Sequence, residues 1–140
     1  TDTYKAVDKL QNYIDTYPEG QNMVEANLLT KKLREKLEKK AYENAVIYNT
    51  ISNYKAAMVA LDNFIINFPG TPYKEKALFY KLDSAYSLAI NSVPSKMEER
   101  LENAKVAYSS LIKFKADTEY KSKADEMLAR IENDLKQFSK

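Results

Sequence analysis

The chain has 140 residues, 44% of them hydrophobic and 30% charged, with 22 Lys and Arg against 20 Asp and Glu for a net charge of +2. That length carries one domain with a real core, and the mixture of apolar and charged residues excludes the disordered and collagenous classes. So mild a charge is no footprint of a dedicated nucleic-acid binder, and 2 Gly and 4 Pro are too few turn-formers for a sandwich or barrel.

The absence of Cys removes disulfide scaffolds, zinc ribbons, iron–sulfur sites and thiol nucleophiles, and leaves the redox compartment open. No apolar run reaches the roughly 18 residues of a membrane span. Thr1 to Leu10 lacks a charged stretch followed by a hydrophobic one, so any signal or anchor of the natural protein is expected to lie outside this sequence.

The spacing predicts a first helix over 3–17, with Ala6, Leu10, Tyr13, Ile14 and Tyr17 on one stripe and Pro18 and Gly20 ending it. A long second helix follows over 22–49, its stripe running through Ala26, Leu29, Leu33, Leu37, Ala41, Ala45 and Tyr48. The third, over 53–68, places Leu61, Phe64, Ile65 and Phe68 three and four apart and stops before Pro69 and Gly70. Thr71 followed by Pro72 reads as an N-cap with proline at the first helical position, opening a fourth helix over 72–91 with its stripe through Tyr73, Ala77, Tyr80, Ala85 and Leu88. Residues 91–94 break it, and Ser95 with Glu98 reads as a capping box for a fifth helix over 95–116. A sixth is predicted over 118–138 through Ala124, Leu128, Ile131 and Leu135.

A recurrence overlies these helices. Ala6, Leu10, Asn12, Tyr13, Ile14, Tyr17 and Pro18 reappear at a shift of 51 residues as Ala57, Leu61, Asn63, Phe64, Ile65, Phe68 and Pro69. A weaker third copy, 47 residues further on, carries Ala104, Tyr108, Leu111 and Ile112 but has Lys115 and Ala116 in place of the aromatic-proline pair. No single hairpin of this size buries its own apolar stripe, so neighbouring hairpins must stack. The expected fold is therefore all-α: one domain over 1–140, an α-solenoid of about six antiparallel helices.

These residues resemble tetratricopeptide repeats, in which a small residue early in the second helix is followed by a large apolar residue and then by proline. Ala57, Leu61 and Pro69 fit, as do Ala6, Leu10 and Pro18. The segment from Ala41 to Tyr80, the long helix entering it and the spacing of 47 to 51 resemble the later repeats of the BamD family, tetratricopeptide-repeat lipoproteins of the outer-membrane β-barrel assembly machinery. The resemblance covers essentially the whole chain and reaches only the C-terminal part of such a protein. It implies a protein on the periplasmic side of the bacterial outer membrane, touching the membrane only through an N-terminal lipid anchor absent from this chain. It also implies docking on the periplasmic domains of the barrel subunit, with accessory lipoproteins as further partners. The alternative is a tetratricopeptide-like module of another periplasmic or cytosolic pathway, whose groove captures an extended peptide.

Without His or Cys, neither a Ser-His-Asp nor a Cys-His pair nor a histidine metal site can be built, so no catalytic residue, cofactor or metal is expected, and no enzyme activity. Asp62 stands isolated on its helix, and Glu98, Glu99 and Glu102 suit a helix start. Among 11 tyrosines, Tyr42, Tyr48, Tyr54, Tyr80 and Tyr86 are expected where hairpins abut, and a large apolar body with a polar tip is the profile of an interface anchor. Lys31 and Arg34 head the densest basic stretch, expected to be a solvated face, the alternative being a face that meets an acidic partner or an anionic lipid surface. These seven residues are the candidate partner contacts, and no nucleic-acid partner is expected.

Overall fold

The computed structural model describes residues 2–16 and 23–139. In order these form α1 (Asp2–Thr16), α2 (Met23–Thr50), α3 (Tyr54–Asn67), α4 (Lys74–Ile90), α5 (Pro94–Phe114) and α6 (Lys121–Leu135), then a single 3₁₀ turn over Lys136–Phe138. There is no strand among the described residues. The fold class is all-α and tetratricopeptide-like. Tyr17, Pro18 and Gly20, read as the end of the first helix, lie outside the described residues.

The chain divides within α2 into two compact units, residues 1–41 and 42–140. In the first unit Val7, Ala26, Thr30 and Leu37 are buried. The stripe predicted for α2 needs correcting here: Leu29 is 49% exposed, whereas Thr30 is 5% exposed. Thr30 tolerates burial because its hydroxyl donates to the Ala26 carbonyl at 2.8 Å, so no polar group is stranded.

In the second unit successive helices pack as hairpins, the layering of an α-solenoid. α4 packs against α3 and α5 and also touches α6. Its buried residues, Ala77, Leu78, Phe79, Leu82, Ser84, Ala85 and Ala89, spread over more than half of the helix circumference. The single stripe expected through Tyr80 and Leu88 is therefore too narrow, because a helix with neighbours on several sides is apolar on several sides. Ala57, Ala77, Ala85, Ala104 and Ala124 are at most 1% exposed and bring backbones close. Leu82, Leu101, Leu111 and Ile131 fill the space between α4, α5 and α6, each contributing about 1.5–3 kcal/mol by burial.

The joints are built from backbone geometry. At the end of α2, Asn53 N–H donates to the Tyr48 carbonyl and Ser52 N–H to the Asn49 carbonyl, a Schellman closure whose left-handed position is Ser52, with φ of 64°. Asn53 then opens α3, its side chain accepting from Ala56 N–H. Residues 51–53 thus end one helix and start the next. At the following joint the expected Thr71 cap is not formed. Thr71 instead closes a turn, its carbonyl accepting from Lys74 N–H and its hydroxyl from Tyr73 N–H. Tyr73 is the cap residue, and Pro72 lies in the turn ahead of the helix.

The Ser95–Glu98 capping box is likewise replaced. α5 begins at Pro94 after Val93, because a proline held near helical φ and lacking an N–H suits the first helical position. The sixth helix starts at Lys121 instead of 118, since Thr118 repeats the Thr71 turn: it accepts from Lys121 N–H through its carbonyl and from Tyr120 N–H through its hydroxyl. Lys115 and Ala116 do not spoil that joint. Lys115 N–H donates to Leu111 O just as Phe68 N–H donates to Phe64 O, and a backbone bond does not need the aromatic-proline pair.

Candidate functional site

The five tyrosines singled out in the sequence divide by burial. Tyr42 stacks on Tyr73 with ring centroids 4.7 Å apart and planes 14° apart, and leans on Phe64 at 5.7 Å. Tyr80 meets Phe79 edge-on at 5.6 Å, and Tyr80 and Tyr86 both pack against the core. Tyr54 is half-buried, its hydroxyl 3.3 Å from that of Ser52. Tyr48 is 40% exposed. Burial, with the Tyr80 and Tyr73 hydroxyls nearby, pushes the Tyr42 phenol up to about 12. Burial and the Glu119 carboxylate do the same for Tyr120.

Two rings the sequence reading did not single out for contact, Tyr73 and Tyr120, complete this system. Each follows a joint threonine by two residues, and each stacks on the helix that opens the preceding hairpin: Tyr73 on Tyr42, and Tyr120 on Phe79 at 4.1 Å and 9°. The signal lay in the sequence as T-P-Y-K-E-K-A over 71–77 and T-E-Y-K-S-K-A over 118–124. Stacked rings of this kind add about 0.5–1.5 kcal/mol beyond the area they bury.

Around Tyr48 the surface is open and apolar. Tyr48 lines a shallow depression of about 420 Å³ with Lys55, Ala56, Val59, Ala60 and Asn63. Val59 is 61% exposed, and Ile47 and Ile51, one turn apart at the end of α2, are exposed as well. Asn49 fixes this corner by donating from Nδ2 to Asp83 Oδ2 and to the buried Ser84 hydroxyl, both at 2.9 Å. In the first unit Lys31 is exposed, and Arg34 donates to Gln11 Oε1 at 2.8 Å, which ties α2 to α1.

A family model described as "YfiO: Outer membrane lipoprotein" matches residues 1–101. The chain belongs to the YfiO family. The YfiO match takes in all of α1 to α4 and the start of α5, so Tyr42, Tyr48, Tyr54, Tyr80, Tyr86, Lys31 and Arg34 all lie inside it. No curated protein matches this YfiO-family chain.

The polar groups of the YfiO-family fold serve its joints. Thr118 donates to Glu75 Oε2, and Lys115 lies 3.6 Å from the same carboxylate. The Thr118 hydrogen bond, aided by Lys115, holds the Glu75 carboxyl below its usual range. Asp125 accepts from Lys121 and, at 2.6 Å, from the Tyr108 hydroxyl. Lys121 foremost and Tyr108 next lower its pKa. Asp62, expected to be isolated, pairs with Lys81 at 2.6 Å across α3 and α4. Among the described residues no group of three or more acidic, His or Cys side chains is placed to hold a metal ion, and none of the described helices is long and apolar enough to cross a membrane.

Proposed function

We propose that this chain is a protein-docking scaffold of the machinery that assembles β-barrel proteins into the bacterial outer membrane. It docks on the periplasmic domains of the barrel subunit, with accessory lipoproteins as further partners, and does so on the periplasmic side, where a lipid on the intact protein's N-terminus anchors it. The observation that carries this reading is membership of an outer membrane lipoprotein family over residues 1–101. The geometry adds a surface for the work. Tyr48, Val59, Ile47 and Ile51 stand exposed in the second unit, and a partly exposed tyrosine ringed by aliphatic side chains is the form an interface anchor takes before its partner arrives.

The scaffold has no chemistry of its own in this reading. A sequence without His or Cys supports that, since it offers no base-activated nucleophile of the common kinds.

Biolayer interferometry on immobilised periplasmic domains of the cognate barrel subunit tests the proposal. The chain binds them, Tyr48→Ala weakens binding by roughly tenfold, about 1.4 kcal/mol, and Val59→Asp weakens it further. Failure to bind, under conditions where a longer member of the family does bind, overturns the proposal. So does binding that Tyr48→Ala and Val59→Asp leave unchanged. Selection of short linear sequences from a peptide array, with no binding to the folded domains, would favour the groove-capture alternative.

A further inference from the structure

A second surface lies on the outward face of α5 and the start of α4. One depression, of about 370 Å³, is lined by Glu102, Lys105, Val106, Ser109, Ser110 and Lys113. Another, of about 350 Å³, is lined by Lys74, Leu78, Ser110, Lys113 and Phe114. They share Ser110 and Lys113, so they merge into one shallow groove, open to solvent, that runs along one face of α5 and meets the start of α4 at its far end. Its floor is apolar and open to solvent: Val106 is 64% exposed and Phe114 47% exposed. Three lysines rim it against a single carboxylate, Glu102, at one end. Lys74 sits with its ammonium 4.8 Å above the Phe114 ring, which holds one cation over the apolar floor.

We propose that this groove binds an extended segment of a partner polypeptide that alternates acidic and apolar side chains. The excess of cations calls for carboxylates, and the exposed Val106 and Phe114 call for aliphatic or aromatic side chains between them. The Ser110 hydroxyl donates to the Val106 carbonyl, so its oxygen is left to accept a backbone N–H from the guest. From Lys105 to Phe114 the helix advances about 13 Å, the reach of about four residues of extended chain. A second copy of the same face is a poor guest, because three lysines would meet three lysines. Most of the groove, from Glu102 onward, lies beyond the residues matched by the family, and it shares no lining residue with the Tyr48 depression. The proposal therefore stands or falls apart from docking on the barrel subunit.

The test is fluorescence anisotropy with a dye-labelled hexapeptide alternating Asp or Glu with Leu or Phe, run beside a hexapeptide with Lys at each acidic position. The full chain binds the acidic peptide, ignores the basic one, and loses affinity as salt is raised, because exposed charges are screened. Lys105→Glu with Lys113→Glu weakens binding by roughly tenfold, and Val106→Ser also weakens it. Val24→Ser, on α2 and 80% exposed in the parent, leaves it unchanged. Circular dichroism of each variant matches the parent, since the substituted residues are exposed. Equal binding of both peptides, or acidic binding indifferent to the double charge reversal, overturns the proposal. Co-sedimentation with phosphatidylglycerol vesicles that depends on Lys105 and Lys113, without peptide binding, overturns it in favour of a lipid surface.

Discussion

Replacing Thr118 by Val keeps the shape of the side chain and deletes one hydroxyl from the α5–α6 joint. That hydroxyl is 3% exposed with its residue, donates to the Glu75 carboxylate and accepts from Tyr120 N–H at 3.3 Å. A hydrogen bond to a charged group contributes about 1.5–3 kcal/mol and a neutral one about 0.5–1.5 kcal/mol. The second bond here is long, and Glu75 keeps Lys115 at 3.6 Å, so both contributions fall toward their lower ends. The expected loss is about 2 kcal/mol, or roughly 8 °C in melting temperature for a chain of this size. Urea unfolding followed by circular dichroism measures it, and a double-mutant cycle with Glu75→Ala, which removes the acceptor, isolates the shared bond. The pH dependence adds a sign. The Glu75 carboxyl is held below its usual range, so its contribution is present above the ordinary glutamate pKa and is lost as pH falls through the lowered one. The gap between parent and Thr118→Val must therefore narrow in acid. A variant as stable as the parent, or a deficit that stays constant down to pH 3, would refute this account of the joint.

Other positions give further expectations. Leu82→Ala, at a fully buried site on the central helix, costs about 2–5 kcal/mol, read from the same urea curves. Ser52→Gly relieves a non-glycine residue at φ of 64° and stabilises by about 0.5–1 kcal/mol. Gly70→Ala costs about 1–2 kcal/mol through its φ of 77° alone, because an added Cβ meets nothing within 4 Å. Burial raises Tyr42 and Tyr120 to about 12. They favour the folded state fully below the unfolded tyrosine pKa near 10, and that preference is lost as pH rises toward 12. Absorbance at 295 nm then shows Tyr42 and Tyr120 among the late-titrating phenols, with Tyr108 also held above its ordinary range by its hydrogen bond to Asp125, and alkaline unfolding begins as they ionise.

Helix placement was legible in the sequence because periodicity and proline carry it. Phe68 before Pro69 marks the end of α3, and α2 runs one residue past its expected end at Asn49. Misread turn chemistry accounts for the errors at helix starts, where Thr71 and Ser95 look like caps and the turn is made by other means; α5 and α6 also end earlier than the expected 116 and 138, at Phe114 and Leu135, the last helix giving way to a 3₁₀ turn. Thr71 and Thr118 spend their hydroxyls inside turns, and Pro94 replaces a side-chain cap altogether. Side-chain environment was harder to read. Tyr42, Tyr80 and Tyr86 share the composition of an interface anchor, yet a stripe of residues does not tell how many neighbours its helix has, and α4 has them on several sides. Val59 and Val106 show the converse. Each lies two positions after a fully buried alanine, Ala57 or Ala104, which turns it to the opposite side of the helix. The repeat that aligns those alanines therefore also aligns two exposed valines, and an apolar residue off the buried stripe was the available sign of an open surface.

The threonine–tyrosine joint has a consequence for how such a chain can change length. The elements the two joints share lie within one hairpin of the turn: a threonine to close it, a tyrosine two residues later, and an aromatic ring on the helix that opens the preceding hairpin. Excising 72–118 would splice Thr71 directly to Glu119 and Tyr120, recreating the same three-residue signature at the same place after α3, with Tyr120 arriving where Tyr73 had lain over Tyr42. A gene that gains or drops one such segment keeps its seams intact, so hairpins can be added or removed like links without redesigning their neighbours.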